Sequence, residues 1–140
     1  FLMANFTKSW RAEVGLNHTP AYQVSGRPFA SGSIDARATD GHKIEFPYVT
    51  RWIYVANHGT ADCRVGYSQA GVLGSNYLRV ALLDADGNSA PATVRLEVKV
   101  SEIWLSGSNS VDVMAGLTTI PISRVSSSTG PSFSGSVGVG

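Results

Sequence analysis

Gly66-Tyr67-Ser68-Gln69-Ala70 holds a serine in the spacing of a loose nucleophile elbow. Such a serine needs a sharp strand-to-helix turn to lift its hydroxyl, together with a base to take its proton. Gly71-Val72-Leu73-Gly74-Ser75-Asn76 reads as a loop, so the motif lacks its context and Ser68 is expected to be structural. Asp84, Asp86 and Asn88 alternate as calcium-loop ligands do, but a glycine fills the fourth place instead of the sixth and Arg95 stands where a bidentate Glu is required. A polar hairpin turn is the expectation there. His18, His42 and His58 lack paired metal-ligand spacing, and no two carboxylates are placed by sequence for acid and base work. No catalytic residue, metal or cofactor is expected.

Aromatics offer a different chemistry. Tyr22, Tyr48, Trp52, Tyr54 and Tyr77 could form a platform on which sugar C–H faces stack, or could bury area at a core or interface while their polar tips stay satisfied. The second use is the more ordinary one. Asn5-Phe6-Thr7 and Asn17-His18-Thr19 match the glycosylation sequon, but no charged segment and apolar core precede them as a secretion signal would. Met3-Ala4-Asn5 would make a more ordinary start than Phe1-Leu2-Met3, which points to a start upstream or a trimmed precursor.

The elements that must carry these residues are strands. A chain of 140 residues suits one domain with a real core. Hydrophobic residues make up 43% and charged ones only 15%, below the usual quarter, so Ser, Thr, Asn and Gly supply the polarity. The net charge is +1 and the basic residues are scattered, which excludes an electrostatic footprint for nucleic acid. One cysteine, Cys63, rules out an intrachain disulfide framework and leans away from an oxidising compartment. No apolar run approaches the roughly 20 residues of a membrane helix, so no membrane partner is expected.

Apolar residues at helical spacing are not sustained anywhere, whereas period-two alternation recurs. Val94, Leu96, Val98 and Val100 alternate with Arg95, Glu97 and Lys99, and this strand is expected to continue through Ile103-Trp104-Leu105 with a bulge at Ser101-Glu102. Further strands are expected at 21–24, 29–36, 42–46, 48–56, 62–67, 77–83, 110–114 and 118–122. Ser25-Gly26-Arg27-Pro28, Asp40-Gly41, Asn57-His58-Gly59, Asp86-Gly87-Asn88 and Ser106-Gly107-Ser108-Asn109 supply the turns between them. The fold class is all-β, an antiparallel β-sandwich of about eight short strands, jelly-roll-like, over residues 1–125. Residues 126–140, rich in Ser and Gly, carry little side-chain area to offset ordering entropy and read as a flexible tail or assembly arm.

Within Ile44-Glu45-Phe46-Pro47-Tyr48-Val49-Thr50-Arg51-Trp52-Ile53-Tyr54-Val55-Ala56-Asn57-His58-Gly59, both faces of a strand are apolar. Val49, Ile53 and Val55 are expected in the core. Tyr48, Trp52 and Tyr54 are then left for a flanking segment or neighbouring subunit, with Arg51 among them as a forked, stacking anchor. Tyr48, Arg51, Trp52 and Tyr54 are the candidate interface residues.

Phe46-Pro47-Tyr48-Val49-Thr50-Arg51-Trp52, Val55-Ala56-Asn57-His58-Gly59, Arg64-Val65-Gly66-Tyr67-Ser68 and Gly74-Ser75-Asn76-Tyr77-Leu78 together resemble small jelly-roll structural proteins of DNA-virus and phage particles. The resemblance covers roughly 44–83 and is one of pattern. It implies a minor capsid or decoration subunit of the virion, often trimeric, seated on the major capsid protein and on copies of itself, without cofactor or catalysis. The alternative expectation is a lectin-like carbohydrate-binding sandwich presenting its aromatics to a surface glycan.

Overall fold

The computed structural model describes residues 26–82, 92–128 and 130–140. The expected strand at 21–24, the Asp84 to Asn88 turn, Tyr22, His18 and both sequons lie outside the described residues. Eight strands build two antiparallel four-stranded sheets: β1 (Arg27–Ile34), β2 (His42–Glu45), β3 (Tyr48–Asn57), β4 (Cys63–Gly66), β5 (Leu78–Val80), β6 (Ala92–Leu96), β7 (Glu102–Ser106) and β8 (Val111–Pro121). One sheet runs in the order β1-β8-β3-β6 and the other β2-β7-β4-β5. Strands 1 and 8, 2 and 7, 3 and 6, and 4 and 5 therefore pair as one long nested hairpin rolled across two layers. That pairing is the jelly roll.

The core fills the space between the layers. Ile34, Ile53, Val55, Val111, Val113, Ala115 and Leu117 meet Ile44, Val65, Val80, Ile103 and Leu105, all buried. Three sequence expectations are corrected here. The run from Ala92 through Leu105 is two strands, β6 in one sheet and β7 in the other, because 97–101 crosses between layers where the alternation changes phase. Conversely, 110–114 and 118–122 merge into β8, since Ala115, Gly116 and Leu117 continue the ladder with β1 and β3. Finally, Gln69–Leu73 forms a five-residue helix, α1, capped by the Ser68 hydroxyl accepting from the Gly71 N–H at 2.9 Å. Val72 is fully buried beneath it, beside the bare backbone of Gly66.

A fourth correction concerns β3. Thr50 pairs with Leu117 and Trp52 with Gly116, a register shift that inserts one extra residue around Arg51. A one-residue bulge exchanges the faces of everything beyond it. Ile53, Val55 and Asn57 point into the core after the bulge, whereas Val49 before it packs with Ile120 and Val125 in a separate cluster and Tyr48 packs against the main core. Continuous alternation from 48 to 55 does not exist in the fold. At the bulge, Thr118 donates to the Val49 carbonyl at 2.7 Å and Thr50 donates to the Val98 carbonyl at 2.6 Å. These buried hydroxyls satisfy ladder groups that the irregular register leaves over.

Residues 126–128 and 130–140 fold back on the sandwich. A 3-10 turn (Ile122–Val125) leads into the short pair β9 (Ser126–Ser127) and β10 (Gly130–Pro131), and Phe133 packs against both apolar clusters. One aromatic anchor, Phe133, and glycines at positive φ (Gly130, Gly135 and Gly138) that fold the chain into successive turns shape this segment.

Candidate interaction surface

The outer face of the β1-β8-β3-β6 sheet gathers the site. Register places Ala30, Met114, Tyr54 and Arg95 side by side across four strands. Pro28, Gly116 and Trp52 form the neighbouring row, and Asp112, Ala56 and Thr93 the row on the other side. Side chains two apart on a strand share a face, so these rows make a continuous surface. Met114 is 52% exposed and Tyr54 40%, and Trp52 is half-buried. Ala30, Tyr54, Ala56, Asp112 and Met114 border a shallow depression of about 400 Å³.

Charged groups frame this apolar strip. The Arg95 guanidinium lies over the Trp52 ring, 5.3 Å from its centroid, and pairs with Glu97 at 2.7 Å. Arg51 reaches the same Glu97 carboxylate at 3.8 Å. Cation–π stacking and the ion pair together hold one edge of the indole against the sheet. On the far side, Asp112 accepts the Ser33 N–H at 2.8 Å and meets His58 Nε2 at 3.2 Å. Ser33 has φ 55, a left-handed turn in which the carboxylate captures an amide that the bulged edge strand cannot pair.

Of the four candidate residues, Trp52 and Tyr54 therefore share this face, Arg51 stands at its rim on the bulge, and Tyr48 is placed elsewhere. Tyr48 packs against the main core with the Arg27 guanidinium 4.2 Å from its ring centre. Met114, Arg95 and Asp112 were missed, since each sits alone in its own segment of sequence and only strand register brings it beside Tyr54 and Trp52. The alternation of Val111, Val113 and Ala115 was a usable signal for Met114, an apolar residue on the polar phase.

Ser68 is no exposed nucleophile. It is 6% exposed, caps α1, and shares its one hydrogen between the Val139 and Gly140 backbone oxygens at 2.8 and 2.9 Å. Among the described residues, no group of three or more His, Cys, Asp or Glu side chains is gathered for a metal, and no helix is long and apolar enough to cross a membrane. Burial pushes the Cys63 thiol up to about 11, so little reactive thiolate is present near neutrality. No family model matches the chain, and no curated protein sequence matches it.

Proposed function

We propose that this chain is a structural subunit of a virus particle, a minor capsid or decoration protein that stabilises or covers the capsid lattice by contacts with the major capsid protein and with its own copies. The observation that carries the reading is the half-exposed strip of Trp52, Tyr54 and Met114 on a rigid sheet face, framed by Arg95, Arg51 and Glu97. An aromatic centre with an Arg rim is the composition of a protein interface, where burying about 800 Å² per partner is the common scale. A sheet face also suits a lattice contact because its side chains keep fixed spacing. The jelly roll itself and the resemblance of 44–83 to virion proteins support the same reading.

A carbohydrate-binding role is the second reading, favoured by the depression beside Tyr54, which has an aromatic wall and the Asp112 carboxylate at its rim. Trp52→Ala separates the two. The virion reading expects the variant to lose incorporation into particles, scored by electron microscopy and by co-sedimentation of the subunit with capsids, while glycan arrays stay blank for wild type. Full incorporation of a folded Trp52→Ala subunit would sink it, and a glycan signal abolished by the same change would favour the lectin reading.

A further inference from the structure

Gly71 and Ser68 form a seat for a peptide backbone. A side chain at Gly71 would run into the Val139 carbonyl oxygen, so the absent Cβ is what lets the two backbones touch. The Ser68 hydroxyl shares its one hydrogen between the Val139 and Gly140 backbone oxygens while it accepts the Gly71 N–H. Gly140 fits at φ 95, and a Cβ there would lie 2.7 Å from the Gly71 Cα. Both partners must be bare for this contact to form.

We propose that this seat is a receptor for the segment Gly130–Gly140 and that the segment is exchanged between copies of the chain, the arm of one subunit filling the seat of the next. The arm is self-contained. Ser134 N–H to Pro131, Ser136 N–H to Phe133, Val139 N–H to Ser136 and Gly135 N–H to Gly140 are all bonds within it, so they travel with it. Among the described contacts, it is tied to the body by the Phe133 ring, the Ser132 N–H to the Val125 carbonyl and the short β9–β10 pair with the Ser127 hydroxyl on the Gly130 carbonyl at the hinge, and the Ser68 hydroxyl at the seat. Contacts to ring and seat are identical in a second copy, so the exchange is nearly even in energy and is drawn toward association by concentration. Its hinge is suited to opening: Ser126, Ser127 and Ser128 are exposed, and β9 pairs with β10 over two residues. Extended, the six residues 126–131 would span about 20 Å. The exchange needs only a second copy and does not depend on the capsid reading.

Complementation between full-length variants tests this. Gly71→Ala closes the seat and keeps the arm's own contact residues, whereas Gly140→Ala spoils the seated residue of the arm and keeps an open seat. Each variant alone is expected to remain monomeric by native mass spectrometry, and an equimolar mixture of the two, one isotopically heavy, to give a one-to-one heterodimer. Wild-type heavy and light chains are expected to form mixed dimers at high concentration, and Gly140→Ala, a change confined to the arm, to reduce them at least tenfold. Mixed wild-type dimers unchanged by Gly140→Ala, or no mixed species in either experiment, would overturn the proposal. The wild-type comparison decides the matter even where Gly71→Ala fails to fold.

Discussion

Replacing Asn57 probes the end of the sandwich most directly. This side chain is completely buried on the core face of β3 and joins three loops. Its Nδ2 donates to the carbonyls of Ala61, Val80 and Ala81 at 2.9, 3.1 and 3.1 Å, while its Oδ1 accepts the Gly59 N–H at 2.9 Å and the Ser108 hydroxyl at 2.6 Å. Two amide hydrogens and two incoming ones give four hydrogen-bond equivalents, at about 1 kcal/mol each when exchanged against water. Asn57→Ala should therefore cost about 3–5 kcal/mol, the upper end reflecting buried groups left without partners. Against a typical total of about 5–15 kcal/mol, such a loss is large. Urea unfolding followed by tryptophan fluorescence measures it. Asn57→Asp adds a second arm, because an ionised carboxylate would face the three carbonyl oxygens that Nδ2 now serves. Its folded pKa is then raised, so the variant keeps its stability below the unfolded carboxylate range and loses it as pH rises. A loss under about 1 kcal/mol in Asn57→Ala, or no pH dependence in Asn57→Asp, would refute the network argument.

The two faces of the β1-β8-β3-β6 sheet predict an asymmetry: Ile53→Ala on the core face of β3 should cost about 2–5 kcal/mol in urea unfolding, and Met114→Ala on the exposed face of β8 under about 1 kcal/mol. Cys63 is fully buried with its thiol held up at about 11, so alkylation at about pH 8 should proceed at the rate of unfolding and not at that of a free thiol. The Arg37 side chain and N–H hold the Asp35 carboxyl down at about 2. NMR titration should show this inflection moving up toward the ordinary range in Arg37→Gln. The pair's contribution is present above the unfolded carboxylate pKa and fades as pH falls toward 2.

The strand-rich architecture was legible because alternation is a local property. Val94 and Leu96 in β6, Ile53 and Val55 in β3, and the glycine turns at Gly41 and Gly107, both at positive φ, all follow from their neighbours in sequence. The face of Val49 was not legible, since a bulge at Arg51 arises from the pairing of β3 with β8, a strand some sixty residues away. Nor was α1: five residues with one glycine, Gly71, inside and another, Gly74, just after show no helical period, and the helix rests on the Ser68 cap and on Val72 docking beside Gly66. Asn57 read as part of an Asn-His-Gly turn, because nothing local reveals that it reaches Ala61, Val80 and Ser108 at once.

By itself the sequence determined that this chain is a strand-built sandwich, and that aromatics concentrate between Tyr48 and Tyr54. Side-chain period and turn chemistry are written within a few residues, so they survive without coordinates. Only the tertiary structure decided that Trp52 and Tyr54 lie beside Met114 and Arg95 while Tyr48 does not, and that the glycine-rich end rests on Ser68. Strand register and backbone contact join residues far apart in the chain, and one extra residue in a ladder is enough to exchange the two faces.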